Sequence, residues 1–438
     1  MTAILLLFLL FGAVLLALAP RAPETPRRVD NVSEMEDFFA QLVASQNPPG
    51  LSVAVVRGDA VVYENSFGFA DAPSGAPTTV DTVYRWWSLT KLLTAIGVLQ
   101  LDEEGLIDID DDVREYLPDF GREMTFRGEP VAPIRIRQLL NHSSGLRNLR
   151  LEILRWTHLE GAGRRDPDEL LAGALERYSR LRSTPGRRGY YSNLGYFVLG
   201  ALIEKASGDS YEDYVRSNIV DPLGMELTGF EIDDDMRAHL ALASHPLIDF
   251  QTLFLPAIDN VDSYVKEIHD GQIWFKPFLL DVNSYGGAMG SVYDATKLLR
   301  ALLNEGRLDG RAILSPVTVR RFLDDGWVRA GSSSVAPPSL RRQGMQHGMG
   351  FWVFPEGEGN TLELGRMHEH TGAGPGFATI LRLYPGRNLG VAVLANGTSL
   401  DRRGIADLLA TVFGEAEAEA ELDEVPTSTP TAIEPTER

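Results

Sequence analysis

The chain contains no cysteine, which excludes disulfides, a thiol nucleophile and lipid attachment at a cysteine. That absence does not fix the redox compartment, because an exported protein lacks cysteine as readily as a cytosolic one. Basic residues are outnumbered by acidic ones, 41 against 61, and the formal net charge of −20 argues against a nucleic-acid partner. No internal repeat of solenoid type is found. Metal patterns are missing too. In Asp108-Ile109-Asp110-Asp111-Asp112 the glycine of a calcium loop is replaced by Val113, and Asp119 stands where a bidentate glutamate belongs. His368-Glu369-His370 lacks the helical i, i+4 histidine spacing of a zinc site. Neither a metal nor a cofactor is expected.

What is present starts with size. The 438 residues, 44% hydrophobic, are enough for a large core and two closely joined subdomains. Ser88-Leu89-Thr90-Lys91 opens the apolar helical pattern Leu92, Leu93, Ile96, Leu99, so a hydroxyl and an amine share one helix face. The free N–H groups and macrodipole at a helix N-terminus disfavour an ammonium ion. A partly neutral Lys91 there is placed to take the proton of Ser88 and turn a weak nucleophile into a useful one.

The four-residue motif is weak alone. Ser263-Tyr264-Val265-Lys266 matches it as well, and a surface serine near a solvated lysine is the plain reading of any single match. Two further boxes follow Ser88 in order, Tyr191-Ser192-Asn193 and His370-Thr371-Gly372. Their decoys, Tyr63-Glu64-Asn65 and His269-Asp270-Gly271, stand in the wrong order with the second serine box.

With these three boxes the chain resembles the serine β-lactamase and penicillin-binding-protein superfamily. Within it, the likeness is to the branch of class C β-lactamases, DD-peptidases, D-aminopeptidases and related esterases, which reads Ser-x-x-Lys, Tyr-x-Asn, then Lys/His-Thr/Ser-Gly. Ile136-Arg137-Gln138-Leu139-Leu140-Asn141-His142-Ser143-Ser144-Gly145-Leu146, Pro222-Leu223-Gly224-Met225 and Gly286-Gly287-Ala288-Met289-Gly290-Ser291 match further family phrases. The likeness runs over about residues 53–396.

The resemblance implies a serine hydrolase working through an acyl-enzyme, with Ser88 as nucleophile and Lys91 as general base. Tyr191 would relay protons to and from the leaving group, which asks for a phenol pKa lowered by a nearby cation. Asn193 would hold Lys91 or a substrate amide, and His370, Thr371 and Gly372 would line the substrate. An oxyanion hole would come from the backbone N–H groups of Ser88 and Ala373. Gly372, Gly374 and Gly376 permit close backbone approach there. The plain alternatives are a packing aromatic for Tyr191 and a structural strand histidine for His370. Dedicated β-lactamases usually have lysine where His370 stands, and histidine is only partly charged near neutral pH. The reading is therefore cleavage of a peptide or ester rather than β-lactam resistance, on a small-molecule, peptide or ester substrate. A non-catalytic penicillin-recognising or scaffold protein is the alternative; Lys91 and Tyr191 kept together favour the enzyme. Trp86 and Trp87 read as core or cleft-wall aromatics, but relatives often carry a small residue just before the nucleophile, which leaves pocket width open.

Strands at both ends with helices between predict one sheet built from both chain ends and a helical domain inserted in it. The resemblance implies the same, an α+β fold of the β-lactamase/transpeptidase type with an antiparallel sheet flanked by helices and an all-helical domain. The division is 33–85 and 286–414 for the α/β subdomain and 86–285 for the helical one, with 233–283 as a lid or a packed insertion. Hairpins are predicted at 51–69 and 377–396, and a helix capped by Ser33 carries Phe38, Phe39, Leu42 and Val43. Residues 330–346 read as a mobile loop, 21–32 as a linker and 415–438 as a disordered acidic tail. Residues 1–20 read as a signal anchor or signal peptide. Arg21, Arg27 and Arg28 follow it, which by the positive-inside bias places the rest in the cytoplasm. The family habit is the opposite, and export as an anchored or cleaved protein is expected.

Overall fold

Strands from the two ends of the chain pair with each other, and that pairing organises the molecule. In the computed structural model residues 22–414 are described, apart from 122, 150–151, 250–254, 256–259, 333–337 and 357–363. The expected N-terminal anchor or signal segment and the acidic tail lie outside the described residues. Among the described residues no helix is long and apolar enough to cross a membrane.

The N-terminal strands are β1 (Gly50–Arg57), β2 (Ala60–Asp71) and β3 (Ala76–Pro77). The C-terminal ones are β4 (Val328–Arg329), β5 (Gln346–His347), β6 (Trp352–Phe354), β7 (Met367–Gly374), β8 (Phe377–Tyr384) and β9 (Leu389–Ala395). They form one antiparallel sheet in the order β4-β5-β6-β7-β8-β9-β1-β2-β3. The closing seam is β9 on β1, with Val53 opposite Val393 and Val55 opposite Val391. Both predicted hairpins are present, β1–β2 and β8–β9. At the sheet centre β1, β8 and β9 are buried almost throughout, so their sequences run apolar instead of alternating, as expected for strands covered on both faces.

One cover is α1 (Val32–Ala44), which buries Met35, Phe38, Phe39, Leu42 and Val43 in a single stripe. Each such side chain contributes roughly 1.5–3 kcal/mol of gross burial energy. Its cap is Asn31, whose Oδ1 accepts from the Glu34 N–H at 2.9 Å. Ser33, predicted as the cap, lies inside the first turn, because the backbone is still extended at Asn31 and already helical from Val32.

The insertion after β3 carries α2 (Thr90–Glu103) and α3 (Asn193–Ser207). Every residue of α2 from Thr90 to Leu101 is buried, making it the central helix of the molecule. α4 (Val292–Leu303) then returns to cover the sheet face opposite α1, and α5 (Arg402–Gly414) lies beside α1, stacking Phe413 on Tyr63 at 5.1 Å.

The insertion has a helical centre with short strands at its rim. Thr157–Leu159 pairs with Phe278–Leu280, and Gln272–Phe275 lies between Ser244–Pro246 and Val265–His269. Within 233–283 the described parts are tied to the body. Ser244 Oγ donates to the Asn396 carbonyl at 2.6 Å, Gln272 Nε2 to the Gln46 carbonyl at 2.8 Å, and Lys266 Nζ to Asp71 Oδ2 at 2.8 Å. Phe250, Leu253 and Phe254 lie outside the described residues. The described part of 330–346 is likewise attached, with the Gly331 N–H donating to the Gly189 carbonyl at 2.6 Å.

Candidate active site

A strained turn precedes α2. Trp87–Leu89 form a single tight turn, and Trp87 sits at φ +50°, a left-handed conformation unfavourable for a bulky residue by roughly 1–3 kcal/mol. The neighbouring segment holds it there. The Trp86 N–H donates to the Ala288 carbonyl at 2.9 Å, and its Nε1 to the Gly290 carbonyl at 3.1 Å. Thr90 Oγ1 donates to the Trp87 carbonyl at 2.6 Å. On the sheet side, Thr379 Oγ1 donates to the Trp86 carbonyl at 3.1 Å. A Cβ at Gly372 would overlap that same carbonyl oxygen, so only glycine lets β7 lie against the turn. This contact sets Ala373, which is exposed, beside the turn that carries Ser88.

Ser88, half-buried, receives two proton-handling groups. Lys91 Nζ lies 3.2 Å from Ser88 Oγ, and the Tyr191 hydroxyl donates to the same oxygen at 2.8 Å. Lys91 is fully buried, donates to the Tyr285 carbonyl at 2.5 Å, and has no ion-pair partner among the described residues. Burial without a counter-charge pushes its pKa well below the usual lysine range. The second serine box does not share this environment: Lys266 of that motif is paired with Asp71 at the surface.

Tyr191 differs from expectation in one respect. Burial raises its phenol pKa, opposed only in part by the bond to Ser88, so the lowered value expected of a proton relay is not found. The physical reason is burial: the Lys91 amine lies 5.0 Å from the ring, but the loss of solvent around the phenolate decides the direction. The ring is placed by His142. The N–H of Tyr190 donates to the His142 carbonyl at 2.7 Å, and the N–H of Ser192 donates to His142 Nδ1 at 3.2 Å. The residues on either side of Tyr191 thus both bind His142, whose ring lies 4.5 Å from that of Tyr191.

Asn193 begins α3 and its N–H donates to Asn148 Oδ1 at 2.8 Å. Its side-chain Oδ1 is buried and takes no hydrogen bond among the described residues, so the expected bond to Lys91 is not made. His370 stacks on Trp352 at 5.4 Å, with its ring 6.1 Å from that of Tyr191. Its Nε2 has no partner among the described residues, and burial drives its pKa well below 6.5. The partial charge expected near neutral pH is therefore absent. Thr371 is buried beside it.

Two contributors escape a reading of the sequence. The Tyr285 carbonyl acts through its backbone, which no side-chain pattern reports. Its loop is braced from behind by buried Asp281, which His158 Nδ1 meets at 2.8 Å and whose carbonyl accepts from Arg164 Nε at 2.8 Å. His142 stands in a matched phrase, but only the fold shows that it clamps Tyr191.

The comparisons with known proteins agree with this geometry. Sheet, insertion and serine turn together define a penicillin-binding and β-lactamase type of architecture. The Beta-lactamase family model matches residues 35–413, and the chain belongs to that family. Penicillin-binding protein 4* of Bacillus subtilis (strain 168) is 28% identical over 354 residues, 80% of this chain and 68% of its own length. Esterase EstB of Burkholderia gladioli is 30% identical over 284 residues, 62% of this chain and 69% of its own length. Among solved structures, the octameric penicillin-binding protein homologue from Pyrococcus abyssi aligns with a TM-score of 0.68 at 25% identity, over 88% of this chain and 78% of that one. D-amino acid amidase from Ochrobactrum anthropi SV3 shares the fold, with a TM-score of 0.67 at 22% identity over 87% and 98% of the two chains.

Proposed function

We propose that this protein is a serine hydrolase that cleaves uncharged esters or amides through an acyl-enzyme on Ser88. The observation that carries this reading is the meeting of Lys91 Nζ and the Tyr191 hydroxyl on one serine oxygen, with the amine buried and lacking a counter-ion among the described residues. A neutral amine has a lone pair for the serine proton; a paired ammonium has none.

In the proposed cycle Ser88 Oγ adds to the carbonyl carbon while its proton passes to Lys91 Nζ. The carbonyl oxygen, now negative, is received by the N–H groups of Ser88 and Ala373. Collapse breaks the bond to the leaving oxygen or nitrogen, which takes the Tyr191 proton, and Lys91 reprotonates the phenol. A neutral phenol suits this donor role. Water then adds to the acyl carbon, its proton going to Lys91; the acid departs and Ser88 regains its proton. Neutral His370 supplies no fixed cation for a substrate carboxylate, which favours uncharged substrates over β-lactam resistance. Asn193 Oδ1, buried without a donor among the described residues, is available to a substrate N–H.

The test is intact mass after exposure to a reactive fluorophosphonate, beside the Ser88→Ala protein. One adduct, absent from the variant, is expected. An adduct retained by Ser88→Ala would remove Ser88 from the role, and none on folded wild type would remove the hydrolase reading.

A further inference from the structure

Trp87 occupies the position immediately before the nucleophile, and its side chain is 2% exposed. Its indole lies on Gly374, where a Cβ would overlap the ring, just past Ala373 on β7. The opposite side is closed by Phe278, 6.2 Å away between ring centroids, and by the Arg85 guanidinium, 5.7 Å above the indole and 4.8 Å from the Phe278 ring. The indole therefore fills the space between the serine turn, the end of β7 and the strand Phe278–Leu280. The ring thus backs the turn that carries Ser88 and the end of β7 beside Ala373, the two segments between which an acyl group on Ser88 Oγ would lie.

The position is also held at a conformational cost. A bulky residue at φ +50° is disfavoured, whereas glycine adopts that angle freely. Local backbone preference would select a small residue here, and the sequence keeps the largest. Trp87 Nε1 has no acceptor among the described residues, so the indole is retained for its shape and not for a hydrogen bond.

We propose that Trp87 is the specificity-determining residue of the acyl pocket, closing it so that Ser88 accepts only donors with short acyl groups. This rests on the assignment of Ser88 as nucleophile. The consequence is a steep dependence on chain length, since a few methylenes that fit or do not fit change transition-state binding by an order of magnitude or more. Trp87→Gly removes the wall and relieves the left-handed backbone together. Trp87→Phe keeps an aromatic ring of smaller reach and loses no hydrogen bond.

The experiment measures the second-order rate at which methyl-, butyl- and octyl-fluorophosphonates modify Ser88, by intact mass, in wild type and both variants. In each case Ser88 Oγ bonds to phosphorus, fluoride leaves, and the serine proton passes to Lys91 and then solvent. Wild type is expected to react at least about tenfold faster with the methyl than with the octyl probe. Trp87→Gly should abolish that ratio, and Trp87→Phe should give an intermediate value. Thermal unfolding is recorded for each protein; if Trp87→Gly does not fold, the Trp87→Phe ratio decides. Equal methyl-to-octyl ratios in wild type and the folded variants would overturn the role of Trp87 while leaving Ser88 as nucleophile. Absence of any adduct with the methyl probe would instead overturn the nucleophile assignment, and the pocket assignment with it.

Discussion

Glu369 and His370 are neighbours on β7, both almost wholly buried, yet burial leaves the first charged and the second uncharged. Burial by itself would raise the Glu369 pKa, but Arg382 and Arg403 outweigh it and hold the carboxyl below its usual range. Arg382 Nη2 donates to Glu369 Oε2 at 2.6 Å, Arg403 Nε donates to Oε1 at 2.7 Å, and Arg382 also pairs with Asp407 of α5. His370 meets the same burial with no counter-ion among the described residues, and its pKa is driven well below 6.5. Successive strand residues face opposite sides of the sheet. One strand thus carries an ion-paired cluster on the α5 side and a histidine without a counter-ion among the described residues on the other. Burial is common to both faces; the partner decides the charge. For the chemistry the difference is useful, since a carboxylate beside Lys91 would keep that amine protonated and unable to act as a base.

The largest effect expected from breaking this contrast is at Lys91. Lys91→Met removes the amine and preserves the helix and most of the packing, and acylation by a fluorophosphonate should fall about 10⁴-fold, roughly 5 kcal/mol of barrier. Thermal stability should hold or rise, because an unpaired buried amine is lost. An undiminished acylation rate would move the base role elsewhere. Next comes the paired face. Glu369→Gln leaves Arg382 and Arg403 short of charge in the interior, and the urea midpoint should report a loss of about 3–5 kcal/mol. Protein that remains folded should still label at Ser88. A loss under about 1 kcal/mol would mean that water or Asp407 satisfies the arginines without Glu369.

These two faces were not equally legible in the sequence. Ser88, Lys91, Tyr191 and His370 are found by motif and order because side chains of fixed type recur at fixed spacing. The hairpins at β1–β2 and β8–β9 are equally plain, since apolar runs flank turn residues. The charge states are not readable there. Histidine at 370 reads as partly charged and Tyr191 as acidified, because sequence reports a residue's type and not its dielectric surroundings. The Glu369 cluster joins β7, β8 and α5 and is assembled only by pairing of Glu369 with Arg382 across the sheet. The helix cap moved from Ser33 to Asn31 for a smaller reason, since both residue types cap well and local geometry chooses between them.

The smallest predicted effect separates the faces by pH. Burial holds the His347 pKa at about 3 and that of His368 at about 4, against 6.5 unfolded, and drives those of His142 and His370 well below 6.5. The unfolded chain therefore takes up protons that the folded protein refuses. Stability from these groups is complete above about pH 6.5 and declines as pH falls towards 4. Glu369 acts later: its folded pKa lies below 4.5, so its share is present above that value and is lost only as pH falls through the lowered pKa. The loss between pH 6.5 and 4.5 thus belongs mainly to the histidines. Each fully neutral histidine contributes about 1.4 kcal/mol per pH unit to that slope. His368→Gln gives the cleanest measurement, because an amide N–H can replace the ring N–H that donates to the Leu323 carbonyl at 2.7 Å. Urea unfolding at several pH values should then show a slope smaller by about one proton. An unaltered slope would mean that His368 is protonated in the folded state, and that burial on this side of β7 does not exclude charge without a partner.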